Sequence, residues 1–207
     1  MTLAFDELFS VRDAFRDVPM AGRTDAGILA DAAATHGIRA DAPELAHFPH
    51  RYVHYLTQEL DKPGPRKGIM PGIRPLLDAL AARDDFHLAL LTGNLEAGAQ
   101  IKLQYFGLWH YFRGGAFGDD APERNRLLPR AVAHVAECGG PSVAARDAIV
   151  IGDTPLDVAC AQASGARSIA VATGSHSVAE LSAAGADVVF EDFSDTDAVL
   201  HAVTRYD

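Results

Sequence analysis

Residues 148–161 read AIVIGDTPLDVACA: a short apolar, β-branched run closed by Gly152-Asp153, with a second carboxylate, Asp157, four residues further on. An apolar run without polar alternation is the pattern of a parallel strand covered on both faces. Ligands of open α/β sheets bind in the crevice beyond the carboxyl ends of such strands, so Asp153 and Asp157 fall on the rim where chemistry is done. Two carboxylates on a tight turn offer oxygen ligands to a hard cation such as Mg²⁺. Asp157 also suits the first turn of a helix, but Asp153, directly after the strand, has no comparable structural use.

Outward from this stretch the chain alternates. Pro71-Gly72 opens a helix through Leu76, Leu77 and Leu80; residues 86–91 read as a strand ending in Thr92-Gly93-Asn94, and residues 96–106 as a helix. A short strand at 114–117, a helix over 124–138, the strand at 148–151 and a helix at 159–164 follow. Then come a strand at 168–172, a helix at 178–184, a strand at 188–190 and a helix at 195–204. This alternation predicts βαβ units and an α/β fold, a Rossmann-like doubly wound parallel sheet. Residues 1–62 carry helical periodicity only, with Thr24-Asp25 after Gly22 as a helix start and His36-Gly37 as a stop. The Pro/Gly-rich stretch 62–68 breaks the pattern. The expected organisation is a helical domain over 1–67 and a sheet domain over 68–207.

Composition narrows the function. A chain of 207 residues, 48% hydrophobic, can bury a proper core. Its formal net charge of −10 has the wrong sign for holding nucleic acid. No apolar run approaches the roughly 18–20 residues of a membrane helix, and the start lacks the basic-then-apolar plan of a signal peptide. A cytoplasmic protein without membrane or nucleic-acid partners is expected. Cys138 and Cys160 lack metal-ligand spacing and read as small apolar residues. His47, His50 and His54 are spaced three and four apart, but Pro49 interrupts the segment and no carboxylate pair joins them, so they read as solvated. Tyr52 and Tyr55 read as packing residues.

Two further elements carry polar chemistry. Thr92-Gly93-Asn94 places a hydroxyl and free amides where a helix begins, a cradle for phosphate or simply a cap. Glu123-Arg124-Asn125-Arg126 sets a small basic pair before a helix, either solvated or available to an anion.

In their order and approximate spacing, Pro71-Gly72, Leu91-Thr92-Gly93-Asn94 and Gly152-Asp153-Thr154-Pro155-Leu156-Asp157 resemble the haloacid dehalogenase superfamily, in its phosphoglycolate-phosphatase-like branch. Residues 1–67 resemble the helical cap that this family inserts after its first strand. The resemblance implies a Mg²⁺-dependent phosphatase of small phosphorylated metabolites, working through an aspartyl-phosphate. It implies that Thr92 hydrogen-bonds the transferring phosphoryl group, with the amides of Gly93 and Asn94 beside it. It further implies that Asp153 ligates Mg²⁺ directly or through water and that Asp157 holds the metal's outer shell. The family's third motif is a lysine, yet none lies between Lys102 and the carboxyl terminus. Arg124, with Arg126 as rival, takes that place, charged at any working pH. Arg23 lies in a turn that family caps present to the active site, to meet a distal anionic group or to close a salt bridge within the cap.

The family's first motif, an apolar strand followed by Asp-x-Asp-x-Thr, supplies the nucleophile and the general acid/base. Its nearest match, residues 4–10, has Leu8 where the second aspartate belongs and sits in a helical pattern, so Asp6 is rejected as nucleophile. Either the working protein carries residues before Met1, or the chain is a catalytically silent relative that binds a phosphate compound or a protein. On both readings the chain as it stands lacks phosphatase activity. The first strand is central in the resembled fold. Strands lie about 4.8 Å apart, so residues 86–91 and 148–151 are expected roughly 9–10 Å apart across a gap, or rearranged to close it. The sequence leaves the substrate and the oligomeric state open.

Overall fold

The computed structural model describes residues 1–64 and 67–204. Residues 65 and 66 of the expected linker, and 205–207 at the end of the expected sheet domain, lie outside the described residues.

Helix α1 (Thr2–Phe9), helix α2 (Asp25–Thr35) and helix α3 (Phe48–Leu60), the last entered through a 3-10 turn at Pro43–His47, form the amino-terminal layer. Phe5 is fully buried at its centre. The rings of Phe9, Phe15 and Phe48 stand 4.7, 5.4 and 6.5 Å from it, tilted or edge-on as ring quadrupoles favour. With Ile28, Ala32 and Tyr52, and with Leu95, the residue before Glu96, they form one core cluster. Pro49, expected to interrupt this segment, instead sits in the first turn of α3, where its missing N–H leaves nothing unpaired. His47, His50 and His54 are exposed, and no group of three potential metal ligands occurs among the described residues.

The remaining elements are α4 (Ile73–Ala81), β1 (Leu90–Leu91), α5 (Glu96–Tyr105), β2 (Gly115–Ala116), α6 (Leu127–Glu137), β3 (Ile149–Gly152) and α7 (Pro155–Ala163). They end with β4 (Arg167–Val171), α8 (Val178–Ala183), β5 (Val188–Phe190) and α9 (Thr196–Thr204). Pairing is parallel throughout, Leu90 opposite Gly115, Ile151 opposite Ile169 and Ala170 opposite Val189. This is the α/β architecture that the alternation predicts. One helix starts earlier than its apolar periodicity suggests. Helix α7 begins at Pro155 because Thr154 and Asp157 form a reciprocal capping box and proline fits the first turn. Arg124–Arg126 form a 3-10 turn that feeds α6 rather than its first residues.

Ladders join β1 to β2 and β3 to β4 to β5, and none joins β1 to β3 among the described residues. The amides of Leu90 and Thr92 donate to Gly114 and Ala116 at 2.9 and 3.0 Å, so the alternate residues Ala89 and Leu91 turn their backbone groups away from β2. Arg167 donates to the carbonyl of Ala148 at 3.3 Å, and by the same alternation Ile149 and Ile151 turn away from β4. Between these two edges lies an apolar cavity of about 510 Å³, closed by Leu76 of α4 and Val132 of α6. Ile151, on a strand covered by helices, is consequently 39% exposed.

Gly72 leads α4 at φ 77°, and a Cβ there would stand 1.7 Å from the carbonyl oxygen of Phe193. Gly37 has a similar φ of 69° but open space around it. Gly37→Ala is therefore expected to cost only the left-handed penalty of about 1–2 kcal/mol. Gly72→Ala adds displacement of backbone and is expected to cost about 3 kcal/mol or more. Urea unfolding of the two variants checks the order.

Candidate functional site

The carboxyl ends of β1 and β3 and the loop before α2 surround one cavity of about 550 Å³. Thr92, Gly93, Asn94, Arg124, Asp153, Asp157 and Arg23 all line it. Asp6 does not, being a half-buried residue of α1.

On the β1 side, the Thr92 hydroxyl oxygen accepts from the amide of Asn94 at 3.2 Å and from its Nδ2 at 2.8 Å. No acceptor among the described residues takes the amide of Gly93. Glycine is required there, because a Cβ would stand 2.1 Å from the carbonyl oxygen of Arg23. That close approach lets Asp25 donate its amide to the Gly93 carbonyl at 2.6 Å, while Asp25 Oδ2 accepts from Leu95 at 3.0 Å. Thr24 caps α2 by accepting from Gly27 and donates to the carbonyl of Pro122 at 2.6 Å. The loop before α2 is thus bonded to the sheet side at both of these residues. Arg23 closes a salt bridge within its own layer, to Asp31 at 2.7 Å.

On the β3 side, Asp157 is fully engaged. Its Oδ2 accepts from the amides of Asp153 and Thr154 at 3.2 and 3.0 Å and from the Thr154 hydroxyl at 2.8 Å, while Oδ1 pairs with Arg124 Nη2. Gly152 makes room for this carboxylate, since a Cβ would lie 2.1 Å from its Cγ. Arg124 also donates to the carbonyls of Gly22 at 3.0 Å and Leu91 at 3.5 Å. Arg126 faces solvent and pairs with Glu123 at 3.2 Å. Asp153 differs from its neighbour: no side chain among the described residues hydrogen-bonds its carboxylate. Burial, and next the charge of Asp157, push its pKa up, against the pull of Arg124 and His176.

Two cavity residues escaped the sequence reading. Lys102, on α5, donates its ammonium to Asn94 Oδ1. Its signal was present, a lone lysine between Ile101 and Leu103, three residues from buried Ala99 and so on the inner face of its helix. Asp25, assigned only to a helix start, is buried and points its carboxylate across to α5.

The sequence profile of the haloacid dehalogenase-like hydrolases matches residues 4–162. A phosphoglycolate phosphatase of Rhodospirillum rubrum is 30% identical over 194 residues, 93% of this chain and 78% of the relative. The chain belongs to the haloacid dehalogenase-like hydrolases. Solved members of this fold superpose over nearly the whole chain. CbbY of Rhodobacter sphaeroides, in complex with xylulose-1,5-bisphosphate, does so at a TM-score of 0.66 and 20% identity, over 94% of this chain and 87% of that one. A hydrolase from Pseudomonas syringae gives 0.63 and 20%, over 99% and 91%. The two strand ends that line the cavity of this hydrolase, those of β1 and β3, fall inside the matched profile.

Two expectations follow. The Arg124 and Asp157 side chains are only 12% and 6% exposed. Breaking a buried pair from one side strands a charge, at about 3–5 kcal/mol. Arg124→Met is therefore expected to lower the unfolding free energy by about 3 kcal/mol, whereas the exposed Arg126→Met changes it by less than about 0.5 kcal/mol. Denaturant titration separates them. Burial pushes the Asp25 pKa up against the pull of its Leu95 hydrogen bond and Lys102. A carboxyl raised in the folded state contributes most below its unfolded pKa and loses that contribution as pH rises through the folded value. Asp25→Asn keeps an acceptor for Leu95 without the charge. Thermal melts should find it more stable than wild type near neutral pH, with the advantage gone at about pH 4.

Proposed function

We propose that this hydrolase is a Mg²⁺-dependent phosphatase of small phosphorylated metabolites, with residues 1–67 as cap over a core at 68–207, acting in the cytoplasm. The carrying observation is that one cavity holds a hydroxyl and a free amide at the end of β1 and an unpaired carboxylate at the end of β3. The phosphoglycolate phosphatase relative supports a small substrate and makes 2-phosphoglycolate the first candidate. No helix among the described residues is long and apolar enough to cross a membrane.

In this reading Thr92 donates its hydroxyl proton to a phosphoryl oxygen, and the Gly93 amide donates beside it. Asp153 fits a hard cation, since its carboxylate is half-buried and not hydrogen-bonded by any side chain among the described residues. Asp157 fits only as outer support, both its oxygens being already engaged. Mg²⁺ held by Asp153 would neutralise charge gathering on the phosphoryl oxygens. Arg124 holds Asp157 in place and adds positive charge at the cavity wall. Arg23, anchored by Asp31, borders the cavity where the rest of the substrate lies.

The attacking carboxylate is the remaining part. Phosphoryl transfer to an aspartate needs a carboxylate between the Thr92 and Asp153 turns. The apolar slot between Leu88–Leu91 and Ala148–Ile151 opens there, and its two outward-turned edges suit one parallel strand that ends at the cavity. A second reading, a non-catalytic binder of phosphate compounds, is favoured by Asp6 lying outside the cavity.

The test is an assay of residues 1–207 on 2-phosphoglycolate and p-nitrophenyl phosphate with Mg²⁺. We expect no turnover above background. We also expect Mg²⁺ to tighten binding of the ester, a gain that chelation and Asp153→Asn both remove. Turnover by this chain would show that one of its own carboxylates is the nucleophile. Absence of any ester or Mg²⁺ binding would remove the phosphatase reading.

A further inference from the structure

A threonine hydroxyl has one proton and two acceptor sites. At Thr92 both acceptor sites are filled, by the backbone amide of Asn94 at 3.2 Å and by its side-chain Nδ2 at 2.8 Å. The only direction left to Thr92 is to donate. Which end of the Asn94 amide faces Thr92 is therefore the setting on which this depends, because a reversed amide would offer Oδ1 and draw the hydroxyl proton inward.

The far side of Asn94 fixes that setting. Its Oδ1 accepts from the Lys102 ammonium, eight residues on and two turns into α5. Lysine donates only, so a reversed amide would turn its NH₂ on a buried cation and leave two donors face to face. Lys102 is held in place by its helix, and burial lowers its pKa while Asp25 opposes that fall. Asn94 takes one of its three donors, no acceptor among the described residues takes the other two, and Lys102 lines the same cavity as Thr92.

We propose that Lys102 is the positioning residue of the anion site: it locks the Asn94 amide so that the Thr92 hydroxyl can only donate, which tunes the cavity to an unprotonated tetrahedral oxyanion. This rests on the phosphatase reading for its ligand, but not for the relay itself. Arg124 does not take the role, because its two terminal nitrogens donate to Asp157, Gly22 and Leu91 and not to Asn94.

The experiment uses the full chain, inorganic phosphate and a chelator, so that no metal contributes. Phosphate affinity is measured for wild type, Lys102→Met, Thr92→Val and the double variant. The relay predicts that Lys102→Met weakens binding at least tenfold, that Lys102→Arg restores most of it, and that Thr92→Val costs at least fivefold less in the Lys102→Met background than in wild type. Additive losses would mean that Lys102 acts by its charge alone and would overturn the relay. A second readout needs no ligand: hydrogen exchange of the Asn94 side-chain NH₂, followed by NMR. Slow exchange in wild type that becomes fast in Lys102→Met and Lys102→Gln supports the relay. Unchanged exchange overturns it, even if phosphate binds. A failure of wild type to bind phosphate, with the exchange change present, would count against the phosphatase reading and leave the relay standing.

Discussion

Arg124 and Asp157 form the buried ion pair through which the parts of the site are joined. Asp157 closes the capping box that starts α7, and so sets the turn on which Asp153 stands. Arg124 carries the same guanidinium to Leu91 at the end of β1 and to Gly22 in the loop before α2. One side chain therefore spans the two sheets and the helical layer, across a region where β1 and β3 share no ladder. A buried pair is weak evidence for stability when compared with an apolar replacement of the same shape. Here its value is positional. Each partner is held by further hydrogen bonds, so neither can leave without exposing a charge to a dry environment.

The second set of constraints is steric. Gly93 and Gly118 allow the backbone of the β1 loop to be approached from both sides: a Cβ on Gly93 would meet Arg23 at 2.1 Å, and one on Gly118 would meet the Gly93 carbonyl at 2.0 Å. The loop of residues 22–25 is thereby pressed onto the Thr92–Asn94 turn and bonded to it by the Asp25 amide, which donates to the Gly93 carbonyl. A wall of the cavity that belongs to the helical layer is then as fixed as one that belongs to the sheet.

Strand and helix identities were legible because the apolar runs and their glycine stops are local. The shortness of β1 was not, since residues 86–91 carry a full strand pattern but a ladder on one side only, and pairing is not a property of a single segment. The earlier start of α7 is a side-chain effect: reciprocal hydrogen bonds between Thr154 and Asp157 cap the helix, and Pro155 suits its first turn. For the site, Thr92, Asp153 and Asp157 stand at strand ends, where position alone points to the cavity. Arg23 offered two readings in the sequence, and Asp31, one face along α2, provides the salt bridge. Lys102 lies inside α5 and belongs to none of the motifs read from the sequence. Its place on the inner face of α5 was legible, but its contact with Asn94, eight residues back across the start of that helix, was not.

An acidic chain that holds an anion is less contradictory than its net charge of −10 suggests. Exposed carboxylates more than a Debye length away, about 8 Å at physiological ionic strength, are largely screened. Within the cavity the medium is less polarisable and unscreened, so a few donors decide the local potential. Asp157 is neutralised by Arg124, and Asp25 is opposed by Lys102. Asp153 has no side chain hydrogen-bonded to its carboxylate among the described residues, and burial, with the charge of Asp157 next, pushes its pKa up. A divalent cation beside Asp153 would reverse the sign of that end of the cavity, while the Thr92 hydroxyl and the Gly93 amide already present positive ends at the other. The arrangement then favours a ligand whose negative charge is compact enough to touch both.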